Sequence, residues 1–150
     1  MDFKVIRATE TYQQAGAYYV RIQAMARQYN ITLREEFDEH DTPDTKYIII
    51  LDGEFPVATC RLYELPEDEE PVPAMMLGRI VVLPEYRKQG LGRLVVTEAE
   101  KWAKELRCRK VVLDSRDVAV GFYEKLGYTA DYNRKVQGGT FNCIPMEKML

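Results

Sequence analysis

A nine-residue run, Pro84-Glu85-Tyr86-Arg87-Lys88-Gln89-Gly90-Leu91-Gly92, joins a strand-like segment, Met76 to Leu83, to an amphipathic helix from Leu91 to about Leu106. That junction constrains the chain more than any other stretch, because it fixes a strand running straight into a helix N-terminus. The first N–H groups of such a helix have no partner within it, and the helix dipole adds about half a positive charge at that end. Gly90 and Gly92 carry no side chain, so a ligand can approach the backbone closely. Arg87, Lys88 and Arg93 surround the same turn with positive charge. The run reads as a cradle for a pyrophosphate.

Two familiar phosphate motifs do not account for it. The chain has neither the Gly-x-x-x-x-Gly-Lys-Ser/Thr of a P-loop nor the Gly-x-Gly-x-x-Gly of a dinucleotide fold. What stands here is Arg-x-x-Gly-x-Gly, Arg87 to Gly92, preceded by Val82-Leu83-Pro84-Glu85-Tyr86. This pattern resembles the acetyl-CoA motif of the GNAT N-acetyltransferase superfamily. Farther on, Ala119-Val120-Gly121-Phe122-Tyr123-Glu124-Lys125-Leu126-Gly127-Tyr128 is similar to the family's later helix, which ends in Phe-Tyr-x-x-Leu-Gly-Phe. Upstream, Glu36-Phe37-Asp38-Glu39-His40-Asp41 and Val57-Ala58-Thr59-Cys60-Arg61-Leu62 resemble the ElaA-like branch. The resemblance covers nearly the whole chain.

The resemblance implies an α/β (α+β) fold: a mixed, mostly antiparallel central sheet with a splayed strand pair, flanked by helices on both faces. It implies one GNAT domain over 1–150, with acetyl-CoA as cosubstrate. Ile80, Val81 and Val82 would lie along the pantetheine arm, while Arg87, Lys88, Gln89, Gly90, Leu91, Gly92 and Arg93 hold the phosphates. Gly78 would ease the splay. Backbone N–H groups of the same strand would stabilise the oxyanion. Tyr123 matches the family's tyrosine, whose hydroxyl protonates the departing thiolate. With an ordinary pKa of roughly 10, a phenol stays protonated at neutral pH and can act as general acid.

The acceptor side departs from the family pattern at three positions. Met76 stands where many members place a basic glutamate, Arg116 where many have asparagine or glutamine, and Met146 where the ElaA-like pattern has histidine. A base would then come from Glu36, Asp38 or Asp41, or from a chain of waters. Those acids would also attract a cationic amine. Arg61 and Arg79 point instead to an anionic substrate group, and Arg79 serves equally well in a structural ion pair. Glu36, Asp38, Arg61 and Arg79 are therefore the candidate substrate residues. The activity expected is transfer of an acetyl group to the primary amine of a small molecule by direct attack on the thioester. Amino sugars, polyamines and free amino acids fit, protein lysine is less favoured, and a longer acyl-CoA is an alternative donor. The rival reading is a noncatalytic acyl-CoA sensor or interaction module on the same fold.

Composition narrows the classes further. A length of 150 residues suits one domain with an ordinary core. With 46% hydrophobic and 30% charged residues the chain is balanced for a globular protein rather than a disordered one. A net charge of −3 argues against nucleic acid as a nonspecific partner. No apolar window reaches the ~20 residues of a membrane span, and the N-terminus lacks a signal-peptide layout, so a cytoplasmic location and no membrane partner are expected. The partner expected is the small-molecule amine, with a homodimer as an open possibility. Cys60, Cys108 and Cys143 are scattered and read as buried reduced thiols. His40 is the one histidine and sits in an acidic stretch, so no metal site is expected.

The remaining elements follow from periodicity. Phe3 to Ala8 alternates as a first strand, and a helix capped by Thr9 or Thr11 runs to about Tyr29, stopped by Asn30. Its apolar face carries Tyr18, Ile22, Met25 and Ala26. Ile31 to Pro43 reads as irregular. Lys46–Leu51 and Phe55–Leu62 form a hairpin around Asp52-Gly53. Val95, Ala99, Trp102, Ala103 and Leu106 form the buried face of the helix after the glycine loop, and Glu100 pairs with Lys104 on its outer side. Lys110 to Asp114 is a buried strand, and a helix from about Val118 to Leu126 ends at Gly127. Tyr128–Tyr132 and Ile144–Leu150 close the sheet. The predicted order is β-α-β-β-β-α-β-α-β-β.

Overall fold

The computed structural model describes residues 2–150. Eight strands and four α-helices alternate in a mixed α/β fold among them. Contacts gather into two compact units: one runs up to Tyr63 and takes in Arg79–Ala99, and the other comprises Glu64–Gly78 and Glu100–Leu150. Among the described residues, no helix is long and apolar enough to cross a membrane.

In the first unit, β1 (Phe3–Arg7) pairs antiparallel with β2 (Lys46–Asp52), and β2 with β3 (Phe55–Glu64). Gly53 takes φ 63° at the hairpin tip, the conformation for which glycine has no steric cost. Tyr47 to Ile50 are all buried, so the apolar run of β2 is continuous rather than alternating. Helix α1 (Thr11–Arg21) starts at the later of the two expected positions. Its cap is Glu10, in a reciprocal box with Gln13, whose Oε1 also accepts the Thr9 and Glu10 N–H groups at 2.8 and 2.9 Å. A cluster of Ala8, Ala17, Tyr47 and Ile49, with Ile6, Tyr18 and Leu51 against it, fixes α1 on the strands.

The helical course after α1 differs from the expected one. Ile22–Arg27 widens into a π-helical turn, and the buried residues become Ala24 and Ala26, with Met25 only half-buried. Asn30 ends the run at φ 54°, as a residue tolerant of the left-handed region should. The stretch read as irregular contains a short helix, α2 (Leu33–Glu36), because Thr32 caps it by accepting the Glu35 N–H at 3.2 Å.

In the second unit, the first half of β4 (Ala74–Val82) runs parallel to β5 (Lys110–Arg116), with Met76 beside Val112 and Leu77 beside Leu113. β5 pairs antiparallel with β8 (Phe141–Met149), which also carries β6 (Thr129–Ala130) and β7 (Val136–Gly138). β7 was not anticipated. It is three residues long, too short for an alternating pattern to register, and it draws the start of β8 forward to Phe141.

Helix α3 (Leu91–Glu105) buries Val95, Ala99 and Ala103 as its periodicity requires, while Leu106 lies beyond its end and exposed. Glu100 accepts from Tyr128 Oη at 2.8 Å and Lys148 Nζ at 3.0 Å, so its partners are tertiary rather than the expected Lys104. Helix α4 (Val120–Glu124) is shorter than expected. A 3-10 turn at Asp117–Ala119 precedes it, and Gly127 at φ 99° follows as the left-handed stop.

Candidate active site

The Pro84–Gly92 loop expected to cradle the phosphates lies in the first unit. After β4, Leu83 N donates to Val57 O at 2.9 Å, and a 3-10 turn at Pro84–Tyr86 redirects the chain. Tyr86 Oη donates to Asp52 Oδ2 at 2.8 Å and anchors that turn. Lys88 at φ 64° and Gly90 at φ 80° are both left-handed, which curls the loop. The Gly90 carbonyl accepts from Leu94 N at 3.1 Å, so Gly90 caps α3, while buried Leu91 seats the first turn. A Cβ on Gly90 would meet nothing within 4 Å, and Lys88, Gln89 and Arg93 are exposed. The loop is thus open and carries exposed positive charge at the N-terminus of α3, the kind of place where an anion is favoured. Arg87 behaves differently from its neighbours. Its Nε donates to Val82 O at 3.1 Å and its Nη2 to Gln28 Oε1 at 2.9 Å, so it braces the loop from behind.

The strand leading to the cradle changes character midway. The ladder between β4 and β5 ends at Leu77 and Leu113. Gly78 through Val82, Ile80, Val81 and Val82 among them, are then half-buried without alternation. The distortion sits on Arg79, at φ 48°, not on Gly78. A non-glycine residue held there costs about 1–2 kcal/mol and needs tertiary anchors.

Those anchors come from the acidic segment. Arg79 Nε donates to Glu36 O at 2.9 Å and Nη2 to Asp38 Oδ2 at 3.2 Å. Arg61 Nη1 reaches Asp38 Oδ1 at 2.8 Å and Asp41 Oδ2 at 3.1 Å. Arg21, fully buried, binds Glu36 Oε2 at 3.0 Å and Asp41 Oδ1 at 2.7 Å, with Phe37 4.3 Å beneath its guanidinium. Tyr47 Oη donates to Asp41 Oδ1 at 2.6 Å. Burial would push the Asp41 and Asp38 carboxyls up, but the Arg21 and Tyr47 bonds on Asp41, and the Arg61 and His40 N–H bonds on Asp38, hold both below the usual range. All four candidate substrate residues, Glu36, Asp38, Arg61 and Arg79, are thus brought together and pair within one network, although Arg61 Nε is buried without a hydrogen-bond partner. Arg21, a helix residue with no motif around it, is the member that sequence reasoning missed. His40 stacks on Tyr63 with ring centroids 3.9 Å apart.

In the second unit, Tyr123 lies on α4, buried, with its ring edge-on to Phe122 and Tyr128 at 4.9 and 6.0 Å. Its carbonyl accepts from Leu126 N and Tyr128 N, locking the helix end. The same unit holds a cavity of about 440 Å³ whose lining includes Met76, Val112, Asp114 and Glu147. Burial, against the opposing pull of Arg134, pushes the Asp114 carboxyl above its ordinary value, although its surface still reaches solvent. The sequence offered Asp114 only as the end of a strand. Among the described residues, no group of three His, Cys, Asp or Glu side chains is placed to hold a metal ion.

These features meet known proteins over their full extent. The acetyltransferase (GNAT) family model matches residues 8–128. The uncharacterized N-acetyltransferase YjcF of Bacillus subtilis is 30% identical over 125 residues, covering 83% of this chain and 84% of that protein. A crystal structure described as a "putative N-acetyltransferase" from Lactobacillus plantarum superposes with a TM-score of 0.89 at 26% identity, covering 100% of this chain and 99% of the other. Escherichia coli ElaA shares the fold at a TM-score of 0.76 and 17% identity, covering 98% of each chain. The loop, the interrupted strand and these likenesses agree: the chain belongs to the GNAT acetyltransferase family and is an acyltransferase.

Proposed function

We propose that this protein transfers an acetyl group from acetyl-CoA to the primary amine of a small molecule, by direct attack of the amine on the thioester. The observation that carries this reading is the loop of left-handed Lys88 and Gly90 opening α3, placed directly after the half-buried strand stretch from Gly78 to Val82. The loop suits the phosphates, and the part of β4 beyond its ladder with β5 suits the amides of a pantetheine arm. Acetyl-CoA is the donor the GNAT family uses. In this reading the Tyr123 hydroxyl gives its proton to the leaving thiolate. In the same reading the left-handed turn at Arg79 directs backbone N–H groups of β4 toward the developing oxyanion.

A thiol-release assay over a panel of amines, with acetyl-CoA binding measured by calorimetry in parallel, tests the proposal. Thiol release that requires both acetyl-CoA and an amine is the expected result. Tight acetyl-CoA binding with no turnover on any amine would overturn it. Substituting longer acyl-CoA donors in the same assay distinguishes acetyl transfer from transfer of a larger acyl group.

A further inference from the structure

The cavity in the second unit has a definite chemistry, set by strand register. Met76, Val112 and Glu147 pair across β4, β5 and β8, so they share one face of the strands. Asp114 follows Val112 by two residues and faces the same way. Gly78, one residue past the last ladder pair, brings no side chain beside it. Met146 also lines the cavity, but its pairing with Leu113 puts it on the opposite face. The strand face toward the cavity therefore sets two apolar side chains, Met76 and Val112, beside two carboxylates, Asp114 and Glu147.

The charges around Asp114 are not equivalent. Glu147, from β8, and Glu70, from the connector before β4, are both held by Lys110 Nζ, at 2.8 and 2.9 Å. Asp131 accepts the Asn133 N–H at 3.1 Å and caps a 3-10 turn. Glu69 lies at the connector side, and Arg134 is the cation acting on Asp114. Among the described residues, Asp114 makes no hydrogen bond or salt bridge. It is a carboxylate in a cavity of ligand size, beside the position where Met76 supplies no proton acceptor.

We infer that this cavity binds the acceptor, and that Asp114 grips and deprotonates the ammonium of a small amine with an apolar body and no anionic group. The proposal rests on the acyl-transfer reading above. The ammonium gives one proton to the Asp114 carboxylate, which passes it to solvent. The nitrogen lone pair then forms the C–N bond at the thioester carbonyl as the C–S bond breaks. The second nitrogen proton lost in forming the amide balances the one that Tyr123 gives to sulfur. Carboxylates outnumber cations in the lining, so a phosphorylated amine is disfavoured there.

Phenethylamine and glucosamine 6-phosphate serve as probes, in thiol-release assays on the wild type and on Asp114→Asn and Asp114→Glu. Wild-type protein should turn over phenethylamine and discriminate against the phosphorylated sugar. Asp114→Asn should lower kcat/KM for phenethylamine by about 10²-fold or more, leave acetyl-CoA affinity unchanged, and lose the acidic limb of the pH profile. Asp114→Glu should retain most of the activity. In wild type alone, phenethylamine should raise Tm and glucosamine 6-phosphate should not, a readout independent of any variant's folding. A folded Asp114→Asn enzyme with wild-type kcat/KM, or a preference for the phosphorylated sugar, overturns the proposal while leaving acyl transfer intact. Failure of every amine to release thiol overturns both.

Discussion

Arg79 holds a left-handed backbone at φ 48° while its Nη2 donates to Asp38 Oδ2 at 3.2 Å, so a strained strand residue is tied to a segment 41 positions earlier. The side chain supplies what the backbone conformation lacks in local preference. Arg79→Gly should separate the two contributions. Glycine removes the backbone strain, about 1–2 kcal/mol, and also removes both anchors. Thermal stability should therefore change little, whereas acetyl-CoA affinity should weaken roughly tenfold, a loss of about 1.4 kcal/mol, as the strand loses its fixed geometry there. Unchanged affinity and kcat in this variant would show that the anchor does not serve catalysis.

Asp41 is the hub between two buried arginines, with Arg21 at 2.7 Å and Arg61 at 3.1 Å. Asp41→Asn should cost about 1.5–3 kcal/mol, because it removes the charge from hydrogen bonds to both guanidiniums while Arg21 keeps Glu36 and Arg61 keeps Asp38. Chemical denaturation measures this directly. A loss under about 1 kcal/mol, the range of an exposed pair, would mean that the network is dispensable.

The same carboxylates set an acid limb of stability. Asp38 and Asp41 have folded-state pKa values below their ordinary ones. Their contribution is therefore complete above the unfolded-state value, roughly pH 3.9, and is lost as pH falls below it toward the folded values. Tm should be flat in this respect from neutral pH down to about 5 and fall steeply below about 4. Asp41→Asn should start from a lower Tm and show a shallower acid slope. An acid slope identical to wild type would remove Asp41 from this account.

Gly92 is the sharper test of the cradle, because it lies in α3 outside the set of left-handed residues. Gly92→Val should weaken CoA binding without lowering Tm, since valine is no worse a helix former than glycine. Gly90→Val should lower both, because φ 80° is strained for any side chain and more so for a branched one. Equal CoA affinity in folded Gly92→Val would take the phosphates away from this loop.

Tyr123→Phe keeps the ring packed against Phe122 and Tyr128 and removes only the hydroxyl. If that hydroxyl protonates the thiolate, kcat should fall about 10²–10⁴-fold with acetyl-CoA affinity little changed. The high-pH limb of the rate profile should move as well. Unchanged kcat at saturating substrates, with chemistry shown to limit the rate, would leave water as the proton donor.

Local pattern was enough to reveal the strand–loop–helix junction at Pro84–Gly92, the hairpin at Asp52-Gly53, the apolar face of α3 and the stop at Gly127. Each depends on spacing within a few residues, and glycine or hydrophobic periodicity reports such spacing directly. The pairing of Glu36, Asp38 and Asp41 with Arg21, Arg61 and Arg79 could not be read that way. A carboxylate in sequence looks the same whether it faces solvent, a substrate or a buried guanidinium, and only folding brings residues 15 to 43 positions apart within hydrogen-bond distance. Gly78 is the residue that local preference offers for easing the splay, whereas the left-handed conformation falls on Arg79, because the contacts that compensate it are all tertiary. Asp114 became more than a strand end only when register set it on one face with Met76, Val112 and Glu147. Sequence determined which backbone conformations were available, and packing decided which charges were left facing a cavity.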